Sequence, residues 1–192
     1  MNAPMIKLYG TRDSRAFRCL WALEEGGLEH ELVPVDWKTG ATRTPEFLAL
    51  NPNGHVPVFE RDGLVLVESL AINLHISHLA PEALSLGPVE AKSKVLEWTI
   101  WAMGELEGPH DAANKRDEDV PEVQRAQALS VLNAHLEGTP YLVSETFTVA
   151  DLNVASVLMR PKYMPHIGGY AAAADWFKRC ATRPALARAL GR

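Results

Sequence analysis

Two short stretches of this 192-residue chain carry residue types from which binding chemistry is built. In Asn51-Pro52-Asn53-Gly54-His55-Val56-Pro57-Val58-Phe59 the β-branched and aromatic residues favour a strand, and Pro57, lacking an N–H, must stand at its edge or first position. The backbone groups of Val56 are then left for an outside partner, so an extended peptide laid alongside would exchange main-chain hydrogen bonds with residue 56. A cis Val56-Pro57 bond would turn that edge outward, although the sequence does not decide the isomer. After Arg61-Asp62-Gly63, a hairpin turn in which glycine supplies φ > 0, Leu64 to Val67 reads as the returning strand. Ser69 follows where a helix-capping residue would sit, ahead of Leu70, Ile72, Leu74, Ile76 and Leu79. A helix start offers unpaired N–H donors and partial positive charge to a carboxylate, and Glu68 beside it can take an ammonium group. One amino-acid end, bearing both charges, satisfies the pair, so the ligand these residues suit is a small peptide.

The elements that must position them alternate over residues 1–80 and turn almost wholly helical over 88–192. Ile6 to Tyr9 is a short strand, Ser14 to Gly26 a helix closed by Gly26-Gly27, and Glu31 to Asp36 a second strand. Pro45 to Leu50 reads as a short helix before the hairpin. This order is α/β. Pro81 to Gly87, next to Pro88, reads as a linker between a domain of residues 1–80 and one of 88–192. In the second domain Val95, Trp98, Thr99, Ala102, Met103 and Leu106 recur at helical spacing, and Gly108-Pro109 should end or kink that helix. Another helix starts near Pro121. Thr148 caps the next, with Asp151 three residues on able to reach back to the cap N–H.

Composition excludes several classes of partner. A net charge of −5 without a basic, aromatic-interleaved stretch argues against nucleic acid. No apolar window approaches the ~18 residues of a membrane span, and the first residues lack a charged segment followed by an apolar run, so a cytoplasmic protein is expected. Cys19 and Cys180 form no Cys-x-x-Cys arrangement and read as buried thiols. His75 and His78 share a helix at a spacing of three, but no third ligand accompanies them and no metal is expected.

The run from Asn51 to Ile72 resembles the glutathione-binding segment of the glutathione S-transferases, and the order of elements around it resembles that family over essentially the whole chain. The resemblance implies a thioredoxin-like first domain followed by an all-helical one, and a homodimer. It implies that the backbone of Val56, preceding Pro57, pairs with the cysteinyl part of glutathione and that Glu68 and Ser69 hold its γ-glutamyl end. By order along the chain, Thr42 and Arg43 fall where the glycyl carboxylate is met. His55 falls where a Gln or Lys is usual. Phe147-Thr148-Val149-Ala150-Asp151-Leu152-Asn153 resembles the folding motif of the helical domain. Each feature taken alone also has a plain structural use, as a turn, an edge stop or a cap.

The chemistry so implied turns on the first helix. A free cysteine thiol has a pKa of about 8.5, so a transferase must favour the thiolate, by a helix dipole or by a hydroxyl that donates to sulfur. Ser14, at the start of that helix, matches the serine of the serine-type (phi- and theta-like, bacterial) members and is the first candidate; Thr11, Tyr9 and Arg15 are the others. The resemblance places the co-substrate pocket between the domains against the first part of the long helix, which nominates Trp98, Trp101 and Glu105. The expected function is transfer of the glutathione thiolate to an electrophilic, apolar co-substrate. A glutathione-dependent peroxidase or dehalogenase would use the same thiolate, and a non-catalytic binding or interaction module would keep the fold without it. The absence of a Ser-Ser-Cys-Ser motif after the first strand argues against the isomerase members.

Overall fold

The computed structural model describes residues 5–116 and 118–192, which form two compact units, 5–84 with 184–192, and 85–183. In the first unit a four-stranded sheet has the order β2-β1-β3-β4, with β1 Ile6–Tyr9, β2 His30–Val33, β3 Val58–Arg61 and β4 Leu64–Val67. β1 runs parallel to β2, with Ile6 opposite His30, and antiparallel to β3, with Leu8 opposite Phe59; β4 closes the hairpin on β3. Leu8, Val58 and Phe59 are fully buried at the centre of the sheet, while Leu64 and Val65 lie exposed on edge strand β4. β2 stops short of Asp36 because Pro34 has no N–H to give, and Asp36 instead accepts from the Lys38 N–H at 2.8 Å to start a single 3₁₀ turn.

Helix α1 (Ala16–Glu25) places Cys19, Leu20, Trp21 and Leu23 in the core and packs against α3 (Ser69–Leu79). Between them in sequence, α2 (Pro45–Leu50) is capped by Thr44, whose hydroxyl accepts from the Phe47 N–H. Two helix starts differ from the sequence expectation by a residue or two. α1 begins after a closed turn over residues 11–14, and α3 begins at Ser69 itself, with Glu68 as its cap. The expected division of the chain also changes. Residues 81–84 turn back onto Ala80 and bury Leu84, and α9 (Pro184–Ala189) packs on α1, where the Arg188 guanidinium donates to the Glu24 carboxylate at 2.7 Å and to its carbonyl at 3.0 Å. The first unit is thus built from both ends of the chain.

The second unit is helical: α4 (Val89–Trp101), α5 (Gly108–Lys115), α6 (Glu122–Leu136), α7 (Val149–Leu158) and α8 (Ala171–Ala181). Every residue of α7 is buried, including Asn153, which donates to the Thr99 hydroxyl on α4 at 3.1 Å. The Thr148–Asp151 capping box is present, and Asp151 does more than cap. Its carboxylate accepts from the N–H groups of Thr148 and Leu142, the Thr148 hydroxyl and the Trp176 indole, all at 2.8–2.9 Å. Burial pushes its carboxyl pKa up, against the pull of those donors. Pro109 does not break the helix. The backbone widens into a π segment over Ala102–Glu107, where the Gly108 N–H reaches back five residues to the Met103 carbonyl, and the Tyr163 hydroxyl donates to the Leu106 carbonyl at 2.9 Å.

Candidate functional site

Two of the candidate residues, Ser14 and Val56, flank Gly10 at the end of β1. Gly10 adopts φ +145°, and a Cβ placed on it would lie 3.3 Å from Ser14 Oγ and 3.4 Å from Val56 Cβ, so the start of α1 and the residue before Pro57 flank the same backbone point. Only glycine leaves that approach open. The Val56–Pro57 peptide is cis. Ser14 is buried, and its hydroxyl oxygen accepts from the N–H groups of Ala16 (3.1 Å) and Thr11 (3.3 Å) while donating to the Thr11 carbonyl at 2.7 Å. The one proton that Ser14 can give is therefore directed at the Thr11 carbonyl. Donation to a ligand sulfur requires the O–H to turn from Thr11.

One helical turn beyond Ser14, the same helix grips Ser69. Arg18 is fully buried, and its Nη1 donates to Ser69 Oγ at 3.3 Å. Its neighbour Cys19 donates from Sγ to the Ser69 carbonyl at 3.3 Å, and burial pushes that thiol's pKa well up. Ser69 is accordingly not a capping side chain; it is the first residue of α3, held by α1 at both its hydroxyl and its carbonyl. The cap is Glu68, at φ +67°, whose carbonyl accepts from the Ile72 N–H and whose side chain is exposed. A non-glycine residue in that region costs about 1–3 kcal/mol, which the surrounding hairpin and helix must offset.

Sequence comparison gives this arrangement a family. Residues 4–78 match the description "Glutathione S-transferase, N-terminal domain" and residues 93–184 match "Glutathione S-transferase, C-terminal domain". Glutathione S-transferase 3 of Zea mays is 36% identical over 94% of this chain and 91% of its own length. The chain belongs to the glutathione S-transferase family. Another relative, the disulfide-bond oxidoreductase YfcG of Escherichia coli (strain K12), is 30% identical over 97% of this chain and 94% of its own. Among solved structures, that of glutathione S-transferase-I bound with lactoylglutathione superimposes with a TM-score of 0.80 at 27% identity, covering 98% of this chain and 99% of that one.

Two of the rivals of Ser14 in this glutathione S-transferase, Tyr9 and Thr11, are committed elsewhere. Tyr9 donates its phenol proton to the Glu60 carboxylate at 2.6 Å, and that hydrogen bond, with partial burial, pushes its pKa up to about 12. The Thr11 hydroxyl donates to Asp13 at 2.6 Å, and Asp13 also pairs with Lys38, which holds its carboxyl below the ordinary value. Arg15 is half-buried just ahead of α1. The loop candidates are tied together. Arg43 Nη1 donates to the Asn53 carbonyl at 3.2 Å, Thr42 is buried beneath, and Asn51 Nδ2 donates to the carbonyl of His55, whose ring is exposed. Gly54, at φ +62°, makes room for this. A Cβ there would meet the Arg43 guanidinium at 2.5 Å.

In the helical unit of the glutathione S-transferase, Trp98 is 6% exposed and packs edge-on against Trp101 (5.1 Å between rings) and tilted against His135 (4.7 Å). It is a core residue. Trp101 is half-buried and Glu105 exposed on the π segment. His75 and His78 turn to different partners, the Phe59 ring and the Leu74 carbonyl respectively, and burial holds His75 below its ordinary pKa. Gly10 and Arg18 were not singled out from sequence, and Cys19 was read only as a buried thiol. Arg18 was legible in principle, because it falls four residues after Ser14 and so on the same helical face.

Proposed function

We propose that this protein binds reduced glutathione on its first unit, holds the sulfur as thiolate and directs it to an electrophilic, apolar co-substrate. The observation that carries the reading is that Ser14 and Val56 flank Gly10 at the end of β1, while Arg18 and Cys19 in the first turn of α1 hold Ser69. A peptide pairing with the Val56 backbone, its γ-glutamyl end at Glu68 and Ser69, places its cysteine near the start of α1, where the helix dipole and a reoriented Ser14 hydroxyl favour the anion. Thr42, Arg43 and His55 receive the glycyl end. Trp101 and Glu105 are the proposed co-substrate contacts, Trp98 being occupied in the core. On this reading Ser14 assigns the chain to the serine-type members, phi- and theta-like and bacterial, and the protein works in the cytoplasm; among the described residues no helix is long and apolar enough to cross a membrane.

A homodimer is proposed on the exposed apolar residues Val89, Leu96, Ile100 and Met103, which fall on one face of α4 and its π extension. Both cysteines are buried, so peroxidase or disulfide-exchange turnover would also have to run through the glutathione sulfur. The deciding measurement is the thiolate absorbance of bound glutathione against pH. In the wild type the thiol should titrate below the ~8.5 of a free cysteine. In Ser14→Ala it should move up by about one unit, with conjugation at neutral pH falling roughly tenfold. An unchanged titration and rate would remove Ser14 from the mechanism, and retention of glutathione without turnover on any electrophile would favour a binding module.

A further inference from the structure

We infer that Arg18 is a positioning residue for ligand recognition, setting the Ser69 hydroxyl as a hydrogen-bond donor to a carboxylate. The inference rests on the proposed reading that Ser69 faces the γ-glutamyl end of glutathione. A serine hydroxyl has one proton and two lone pairs, and its orientation is otherwise free. Here Arg18 Nη1 occupies the acceptor side of Ser69 Oγ at 3.3 Å, and a guanidinium cannot accept in return. The Ser69 proton is therefore turned away from α1. Withdrawal of electron density by the cation makes that proton a stronger donor, as in any chain of hydrogen bonds.

Two further features fit a carboxylate acceptor. The Cys19 thiol holds the Ser69 carbonyl, so the residue cannot swing as a unit, and Ser69 opens α3, whose first N–H groups and dipole add positive potential beside the buried guanidinium. Arg18 itself is fully buried and does not reach the ligand. It acts through Ser69. Burying a cation is costly, and a core position one turn into a helix would be filled more cheaply by leucine or methionine were packing its whole purpose.

The test is a double-substitution cycle read by titration calorimetry with two probes: reduced glutathione, and 4-aminobutyryl-cysteinyl-glycine, which lacks only the γ-glutamyl α-carboxylate. Arg18→Met should weaken glutathione binding on the order of tenfold, the worth of one hydrogen bond to a charged group, while leaving the analogue's affinity within about twofold. In a Ser69→Ala background the same Arg18→Met change should cost nothing further. Arg18→Lys, which keeps a donor, should recover part of the loss and serves in the cycle if Arg18→Met does not fold. Equal losses with and without Ser69, or equal losses for both probes, would make Arg18 a structural residue and overturn the inference while leaving the glutathione reading intact. Wild-type affinity in Ser69→Ala would remove the intermediary and the inference with it. No binding of either probe to folded wild-type protein would overturn both.

Discussion

Replacing Gly10 by alanine tests the convergence on which the site depends. The new Cβ would lie 2.6 Å from the Cβ of Ala16, about 1 Å inside an ordinary carbon–carbon contact, and both atoms belong to stiff positions, a strand end and a helix start. Overpacking of this kind costs about 1–3 kcal/mol, and forcing an L-residue to φ +145° adds about 1–3 kcal/mol. The combined loss of about 2–6 kcal/mol should lower the melting temperature by roughly 4–24 °C for a chain of this size. Gly27 supplies the control. It also has a positive φ, +60°, but nothing lies within 4 Å of a Cβ there, so Gly27→Ala bears only the backbone cost of about 1–2 kcal/mol. The difference between the two variants isolates the clash. Because the same methyl presses on Ser14 Oγ and Val56 Cβ, Gly10→Ala should also weaken glutathione binding by calorimetry whereas Gly27→Ala should not. Equal melting temperatures and affinities for the two variants would show that the close approach of α1, β1 and Val56 is not as described.

Other perturbations follow from single contacts. Asp151→Ala strands the buried N–H groups of Leu142, Thr148 and Trp176, at about 1–3 kcal/mol each, a loss comparable to the ~5–15 kcal/mol stability of a whole domain. Asp151→Asn keeps an acceptor oxygen and should shift the urea midpoint far less; equal midpoints for the two variants would contradict the network. Because the folded-state pKa of Tyr9 is raised to about 12 from an ordinary 10, its contribution to stability is complete below pH 10 and lost as pH climbs through 12. Glu60→Gln should bring the phenol's ultraviolet titration back toward 10, and an unmoved titration would refute the pairing. Ile100→Asp, on the exposed face of α4, should convert a dimer to a monomer in sedimentation; an unchanged mass would move the self-association surface elsewhere.

The parts of the molecule legible in the sequence were those decided locally. Ile6–Tyr9, Pro45–Leu50 and the Arg61-Asp62-Gly63 hairpin were readable because alternation, a proline start and a glycine turn act within a few residues. Thr148 and Asp151 were readable as a cap, but the Leu142 and Trp176 donors come from nine residues before and twenty-five after, beyond any local pattern. The same limit explains the site. Val56, Glu68 and Ser69 carry backbone signatures, whereas the grip of Arg18 on Ser69 spans 51 positions and the destination of the Ser14 proton depends on how residues 11–14 close. The π segment was missed for a related reason: Pro109 announces a disturbed helix, but no local pattern says that the chain widens instead of stopping, and the Tyr163 hydroxyl that meets the widened turn at the Leu106 carbonyl lies 57 positions away.

The return of α9 to α1 bears on synthesis. Residues 5–84 leave the ribosome about a hundred residues ahead of Pro184, and during that interval α1, which carries Arg18 and follows the turn that holds Ser14, lacks the cover that Ala185, Leu186 and Ala189 provide. The helical unit can mature as it emerges. The first unit is completed last, although most of it is translated first.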